Sequence, residues 1–170
     1  MTREPLLQVS QRDKVATRHW ERERRDALYS YWKRKRGARA FPSRADIDPT
    51  EMPTLLPNII LVDVTSRTPP QFRFRLVGTA IVQLYGVDFT GRYLDEIETG
   101  GMQAIIRRGY EQTVSRAEPC FQEGEVRYQN RFQIHYLRAI LPLGQNDRRV
   151  DMLLAGVFFC WPDVRHVPDL

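Results

Sequence analysis

The sequence predicts an α+β domain in which an antiparallel sheet carries helices on one face. Three observations predict it. Two strand-like runs, Ile59–Val64 and Phe72–Val77, precede a block of helical patterning, and three more, Cys120–Tyr128, Gln133–Pro142 and Val150–Cys160, follow it. The last of these is apolar at both parities, the pattern of a central strand covered on both sides. Ahead of the sheet, residues 15–36 carry a helix-spaced aromatic stripe on an otherwise charged background.

In chain order, residues 1–14 are polar and without periodicity, and read as a flexible tail. Residues 15–36 place Trp20, Ala27, Leu28, Tyr31 and Trp32 on one helical face. Glu21 stands four residues before Arg25, a supportive orientation, and the helix ends in Lys33-Arg34-Lys35-Arg36 followed by Gly37 as its cap. The stripe needs something to pack on: the body of the same domain or a twin helix in a dimer. Residues 41–58 contain four prolines and form a connector, in which Ser43 or Asp46 can cap a short turn and Asp48-Pro49-Thr50-Glu51 resembles a helix start. Residues 15–56 are therefore assigned to helix and connector, 57–162 to the core and 163–170 to a tail.

Ile59–Val64 and Phe72–Val77 read as a hairpin, with Phe72, Phe74 and Leu76 on one face of the second strand and Arg73, Arg75 and Val77 on the other. Gly78 and Gly91 are expected to supply backbone conformations that side chains forbid, Thr79 and Thr90 to cap, and Arg75 to pair with Asp88 or Asp95. Short helical pieces at 80–85 and 93–97 lead to one longer helix at 102–116, whose Met102, Ile105, Ile106, Tyr110, Thr113 and Val114 share a face. In the strand 133–142, Ile134, Tyr136, Arg138 and Ile140 alternate with His135, Leu137, Ala139 and Leu141.

The chain has 170 residues, enough for one domain to bury a core without staples. Its basicity is local: residues 1–40 hold 12 Lys and Arg against 5 Asp and Glu, the remainder 14 against 16. Cys120 and Cys160 form neither a metal pattern nor a disulfide framework and read as free thiols in a reducing cytoplasm. No apolar run approaches the ~20 residues of a membrane span, and the N-terminus lacks the apolar stretch of a secretory signal. The expected location is cytoplasmic.

Pro42-Ser43-Arg44, Asp46-Ile47-Asp48-Pro49, the Leu-Pro before the first strand, Arg75-Leu76-Val77-Gly78-Thr79 and Asp88-x-Thr90-Gly91-Arg92 occur in one order. With them, residues 18–162 resemble a bacterial subfamily of stand-alone PAS domains. The resemblance implies a five-stranded sheet of order 2-1-5-4-3 with Val150–Cys160 in the middle. It also implies a signalling role, through a small ligand or a partner protein, and names neither.

Known PAS cofactors can be tested against residue types. Haem-binding members place a His on or beside the long internal helix; residues 102–116 contain none, which argues against haem, and ligation by His135 would be the remaining option. Flavin photosensors of the LOV type need a reactive Cys, and the comparable run here, Gly91-Arg92-Tyr93-Leu94-Asp95-Glu96-Ile97, has none; covalent flavin photochemistry is excluded by that missing thiol, non-covalent binding is not. A pocket between sheet and helices would be lined by Tyr85, Met102, Ile106, Tyr110, Phe121, His135 and Phe159, and would suit a small aromatic or acyl ligand; alternatively these side chains fill the core.

For catalysis, neither GxSxG nor HExxH occurs, and the pairs Glu96/Glu98 and Glu123/Glu125 have no catalytic context, so no enzyme is expected. A homodimer or a protein partner would be gripped by Trp20, Leu28, Tyr31 and Trp32. Nucleic-acid binding through Arg22, Arg24, Arg25, Lys33, Arg34, Lys35 and Arg36 has charge in its favour and no base-reading motif.

Overall fold

All nine residues of Met152–Cys160 are buried, and a strand with no solvent face must have cover on both sides. In the computed structural model, which describes residues 11–99, 101–128, 132–145 and 149–160, that strand (β5) is the centre of a five-stranded antiparallel sheet of order β2-β1-β5-β4-β3. The other strands are β1 (Ile59–Val64), β2 (Phe72–Val77), β3 (Cys120–Tyr128) and β4 (Phe132–Leu143). One face carries α2 (Thr79–Tyr85), a single helical turn at Leu94–Glu96, and α3 (Gln103–Arg116). The opposite face is covered by α1 (Gln11–Arg36), which lies across β4 and β5.

Strand parity divides the core in two. On β5, Leu153, Ala155, Val157 and Phe159 face the helical block, while Leu154, Gly156 and Phe158 face α1. Leu28 fits against Gly156, where a Cβ would come within 2.4 Å of its Cδ2 atom. Trp32 is buried beside it, and its indole N–H donates to the Pro142 carbonyl at 2.9 Å. Pro142 lacks an N–H and sits past Ile140, where pairing with β3 has already ended. Tyr31 accepts from the Asp48 amide at 2.8 Å and so ties α1 to the connector. Arg24 donates to the Thr54 carbonyl (2.9 Å) and to Asn58 Oδ1 (2.7 Å), and Asn58 in turn donates to the Val157 carbonyl at 2.7 Å. Burial of Leu28, Tyr31 and Trp32 contributes roughly 1.5–3 kcal/mol each; the polar ties fix where on the sheet the helix lies.

Several sequence expectations change here. α1 begins at Gln11, four residues before the expected start at residue 15, because a helix nucleated by downstream packing propagates into polar sequence. Residues 1–10 and 161–170, including most of both expected tails, lie outside the described residues. Glu21 pairs with Arg24 at 3.0 Å rather than Arg25; Arg25 lies over the Phe121 ring, 5.5 Å from its centroid, and bonds Asp26. Arg75 pairs with Asp63 at 2.8 Å, not with Asp88 or Asp95. Asp95 is held by Arg107, and Asp88 accepts from the Thr90 amide and hydroxyl.

The alternation of β2 breaks at Leu76, which is 42% exposed. A register shift between Leu61 and Val62 puts two residues of β2 against one step of β1, and such a bulge sends the following side chains to opposite faces. Gly78, not Thr79, is the cap residue of α2. It has φ −67°, an ordinary conformation; what requires glycine is the Pro57 carbonyl, whose oxygen would lie 2.4 Å from a Cβ. Gly91, with φ +87°, does adopt a left-handed backbone.

Candidate functional site

Between the sheet and the helical block lies a cavity of about 30 Å³. That is room for a water or two and far below the ~300 Å³ of a typical ligand pocket. Helical spacing builds one wall: Met102, the N-cap residue of α3, and Ile106 and Tyr110 on its buried face stand four residues apart, with Tyr85 at the end of α2 completing it. Alternate β5 residues Val157 and Phe159 and alternate β4 residues Tyr136 and Arg138 build the other.

Five of the seven side chains expected in the pocket, Tyr85, Met102, Ile106, Tyr110 and Phe159, line it together. Phe121 and His135 do not. β3 and β4 present them to the α1 face: Phe121 is 45% exposed and meets Tyr29 edge-on, 5.2 Å between centroids. His135 Nδ1 lies 3.2 Å from the Arg18 guanidinium. Burial chiefly, with the neighbouring Arg18 charge, lowers the His135 pKa. It is not placed to ligate a group held in the cavity.

Two polar residues in the cavity wall were not singled out from the sequence. Arg138 is 5% exposed. Its guanidinium donates to Gln122 Oε1 at 3.0 Å and lies over the Tyr136 ring, 4.9 Å from the centroid. Among the described residues no Asp or Glu lines the cavity. Thr99 is 2% exposed, and its hydroxyl has no hydrogen-bond partner. A signal for Arg138 was present: it interrupts an otherwise apolar parity, Ile134-Tyr136-Arg138-Ile140, on a strand whose other parity is apolar after His135. Thr99 carried none. Burial pushes the Tyr110 phenol up to about 12 and raises that of Tyr85, with the Arg138 charge opposing both shifts. Both phenols are therefore neutral hydroxyls across the physiological range.

Of the four residues expected to grip a partner, Leu28, Tyr31 and Trp32 are buried within the chain itself, against its own sheet. Trp20 is 61% exposed. The seven basic residues that a nucleic-acid contact would use are likewise engaged within the chain. Arg22 meets Glu123 (3.5 Å), Arg24 meets Glu21, Arg25 meets Asp26, and both Arg34 (3.7 Å) and Lys35 (2.5 Å) meet Glu51. Lys33 lies over the Tyr29 ring and Arg36 over the Trp32 ring. The seven cations that a nucleic-acid contact would use thus each have a partner in the fold.

Comparison with known proteins agrees with this architecture. The family model described as "PAS domain" matches residues 20–158. Among solved structures, the chain is similar to the PAS domain of Bordetella pertussis BvgS, with 22% identity and a TM-score of 0.47 over 65% of this chain and 84% of that one. It is also similar to the Rhodobacter sphaeroides LOV protein, with 15% identity and a TM-score of 0.46 over 66% and 68% of the two chains. No curated protein matches the sequence. Among the described residues no helix is long and apolar enough to cross a membrane.

Proposed function

The chain belongs to the PAS domain family, a family whose members are in general sensory rather than enzymatic, and from that premise we propose that it is a sensory module: its cavity takes a small ligand, and its state passes to a partner protein. The observation that carries the ligand half is the polar content of the cavity wall. A packed core has no use for a buried guanidinium without a lining carboxylate, or for an orphaned threonine hydroxyl; both carry desolvation costs that a bound polar group would offset. The ≈ 30 Å³ available means that binding is coupled to displacement of α2 and α3, and such a displacement is a means of signalling.

For the partner half, Trp20 is the aromatic side chain that α1, among its described residues, leaves most exposed, one turn and a half beyond the exposed Val15, on the helix that covers β4 and β5. It is the residue proposed to meet a second copy or a different protein, within the reducing cytoplasm where Cys120 and Cys160 stay free thiols. No catalytic step is assigned to the chain.

The small cavity also favours a second reading, an adaptor domain with a filled core and no ligand. Native mass spectrometry of the purified protein, followed by extraction and small-molecule mass analysis, separates the two. A reproducible non-covalent adduct supports the sensor; a uniformly unliganded protein whose melting temperature responds to no small molecule supports the adaptor.

A further inference from the structure

Among the described residues that line the cavity, Arg138 is the one charged side chain, and none of them is an Asp or Glu. The neighbouring acids are engaged elsewhere: Asp95 with Arg107, Glu96 on the Tyr93 amide (2.8 Å), Glu123 with Arg22 on the far face. Glu125, two residues along β3 from Glu123, shares that far face. What Arg138 has instead is one neutral acceptor, Gln122, and one aromatic ring, Tyr136. A guanidinium keeps its charge and presents a planar fork of donors. Buried without a counter-charge, it is matched by an anion that arrives from outside the chain.

We propose that the cavity takes a small organic monocarboxylate, its carboxylate on the Arg138 fork and its apolar or aromatic body among Ile106, Val157 and Phe159. This rests on the ligand-binding reading above and names the ligand's chemistry. A monocarboxylate fits better than a phosphate ester because one guanidinium balances one charge and the remaining walls are predominantly apolar. The orphaned Thr99 hydroxyl supplies an independent polar anchor in the same space. The neutral phenols of Tyr85 and Tyr110 stand beside the same charge and can donate without adding a negative charge of their own.

The test measures the melting temperature of the full chain against benzoate, phenylacetate, hexanoate and octanoate, each paired with its primary amide, with titration calorimetry on any compound that shifts it. The carboxylates are expected to raise the melting temperature and the amides to leave it unchanged. In R138M the carboxylate shift is expected to vanish, while the ligand-free variant melts at or above the native temperature, because a buried unpaired charge has been replaced by an apolar chain of similar length. R138K keeps the charge and loses the fork, and is expected to bind the carboxylates roughly tenfold more weakly.

If amides shift the native protein as much as carboxylates, the anion inference is overturned and the ligand-binding reading stands. If no compound shifts it, the carboxylate inference falls, while the ligand-binding reading is decided separately by the native mass measurement. Carboxylate shifts of equal size in native and R138M protein remove Arg138 from the site. Should R138M not fold, Arg138 is a structural residue and the inference falls, unless folded R138K shows the weakened carboxylate binding.

Discussion

Gly78 is the point at which β2 hands over to α2, and its amide donates to the Ile59 carbonyl at 2.7 Å while its Cα faces the Pro57 carbonyl. A methyl group there collides with backbone on both the Pro57 and Leu56 sides, and backbone cannot turn aside as a flexible side chain can. Gly78→Ala is expected to cost about 2–3 kcal/mol in chemical denaturation, the upper part of the range for single substitutions; a loss below about 0.5 kcal/mol would show that the handover tolerates a side chain. A second residue-scale feature is Asp46. Hydrogen bonds from Arg39 first, then from the Ser43 hydroxyl and amide, hold its carboxyl down to about 2 from an ordinary 3.8. A depressed acid contributes stability that is complete above its unfolded value and is lost as the pH falls toward the folded one. Between about pH 4 and 2 the native protein should therefore lose stability more steeply than Asp46→Ala, and the two stability curves should converge at the acid end.

At the scale of elements, α1 has two halves with different work. Its second half is core: Leu28 and Trp32 are buried, and the Trp32 indole satisfies a buried carbonyl. Trp32→Ala is expected to cost about 3–5 kcal/mol, whereas Trp20→Ala should stay within about 0.5 kcal/mol of native stability and, on the proposed reading, weaken self-association or partner capture. Equal losses in the two variants would contradict this division. The helix, both hairpin strands, the order of the helical block and the centrality of β5 were legible in the sequence because hydrophobic period reports burial directly. What the period could not report was the bulge at Leu61/Val62, which sets Leu76 outward, or the face of the sheet to which Phe121 and His135 point. Both depend on register between strands distant in sequence. Five pocket residues were legible because helix α3 and strand β5 declare their inner faces; Arg138 was visible as an interruption in the β4 alternation, and Thr99, in a segment without period, was not.

For the whole molecule, the two sides of the sheet differ in how they are held. α1 is locked by Arg24, Asn58, Tyr31 and Trp32, while the cavity side is closed by the seven-residue α2, a single turn at Leu94–Glu96 and α3. Local opening follows the weaker set of ties. Hydrogen exchange is expected to show β4, β5 and the second half of α1 protected to the level of global unfolding. Amides of α2 and of residues 93–99 should exchange through lower-energy opening, slowed when a carboxylate is bound. Uniform protection across the domain would contradict an openable cavity.

Val157 belongs to both sides at once. Its side chain is part of the cavity wall, and its carbonyl holds Asn58, which holds Arg24 of α1. The partition between chamber and exterior is therefore a single strand thick, and traffic across it runs in both directions. If a guest inside changes how firmly α1 grips its own sheet, then whatever clasps α1 from outside changes the welcome given to the guest by the same factor. A domain built this way would be as much an instrument for the partner to tune the receptor as for the receptor to inform the partner.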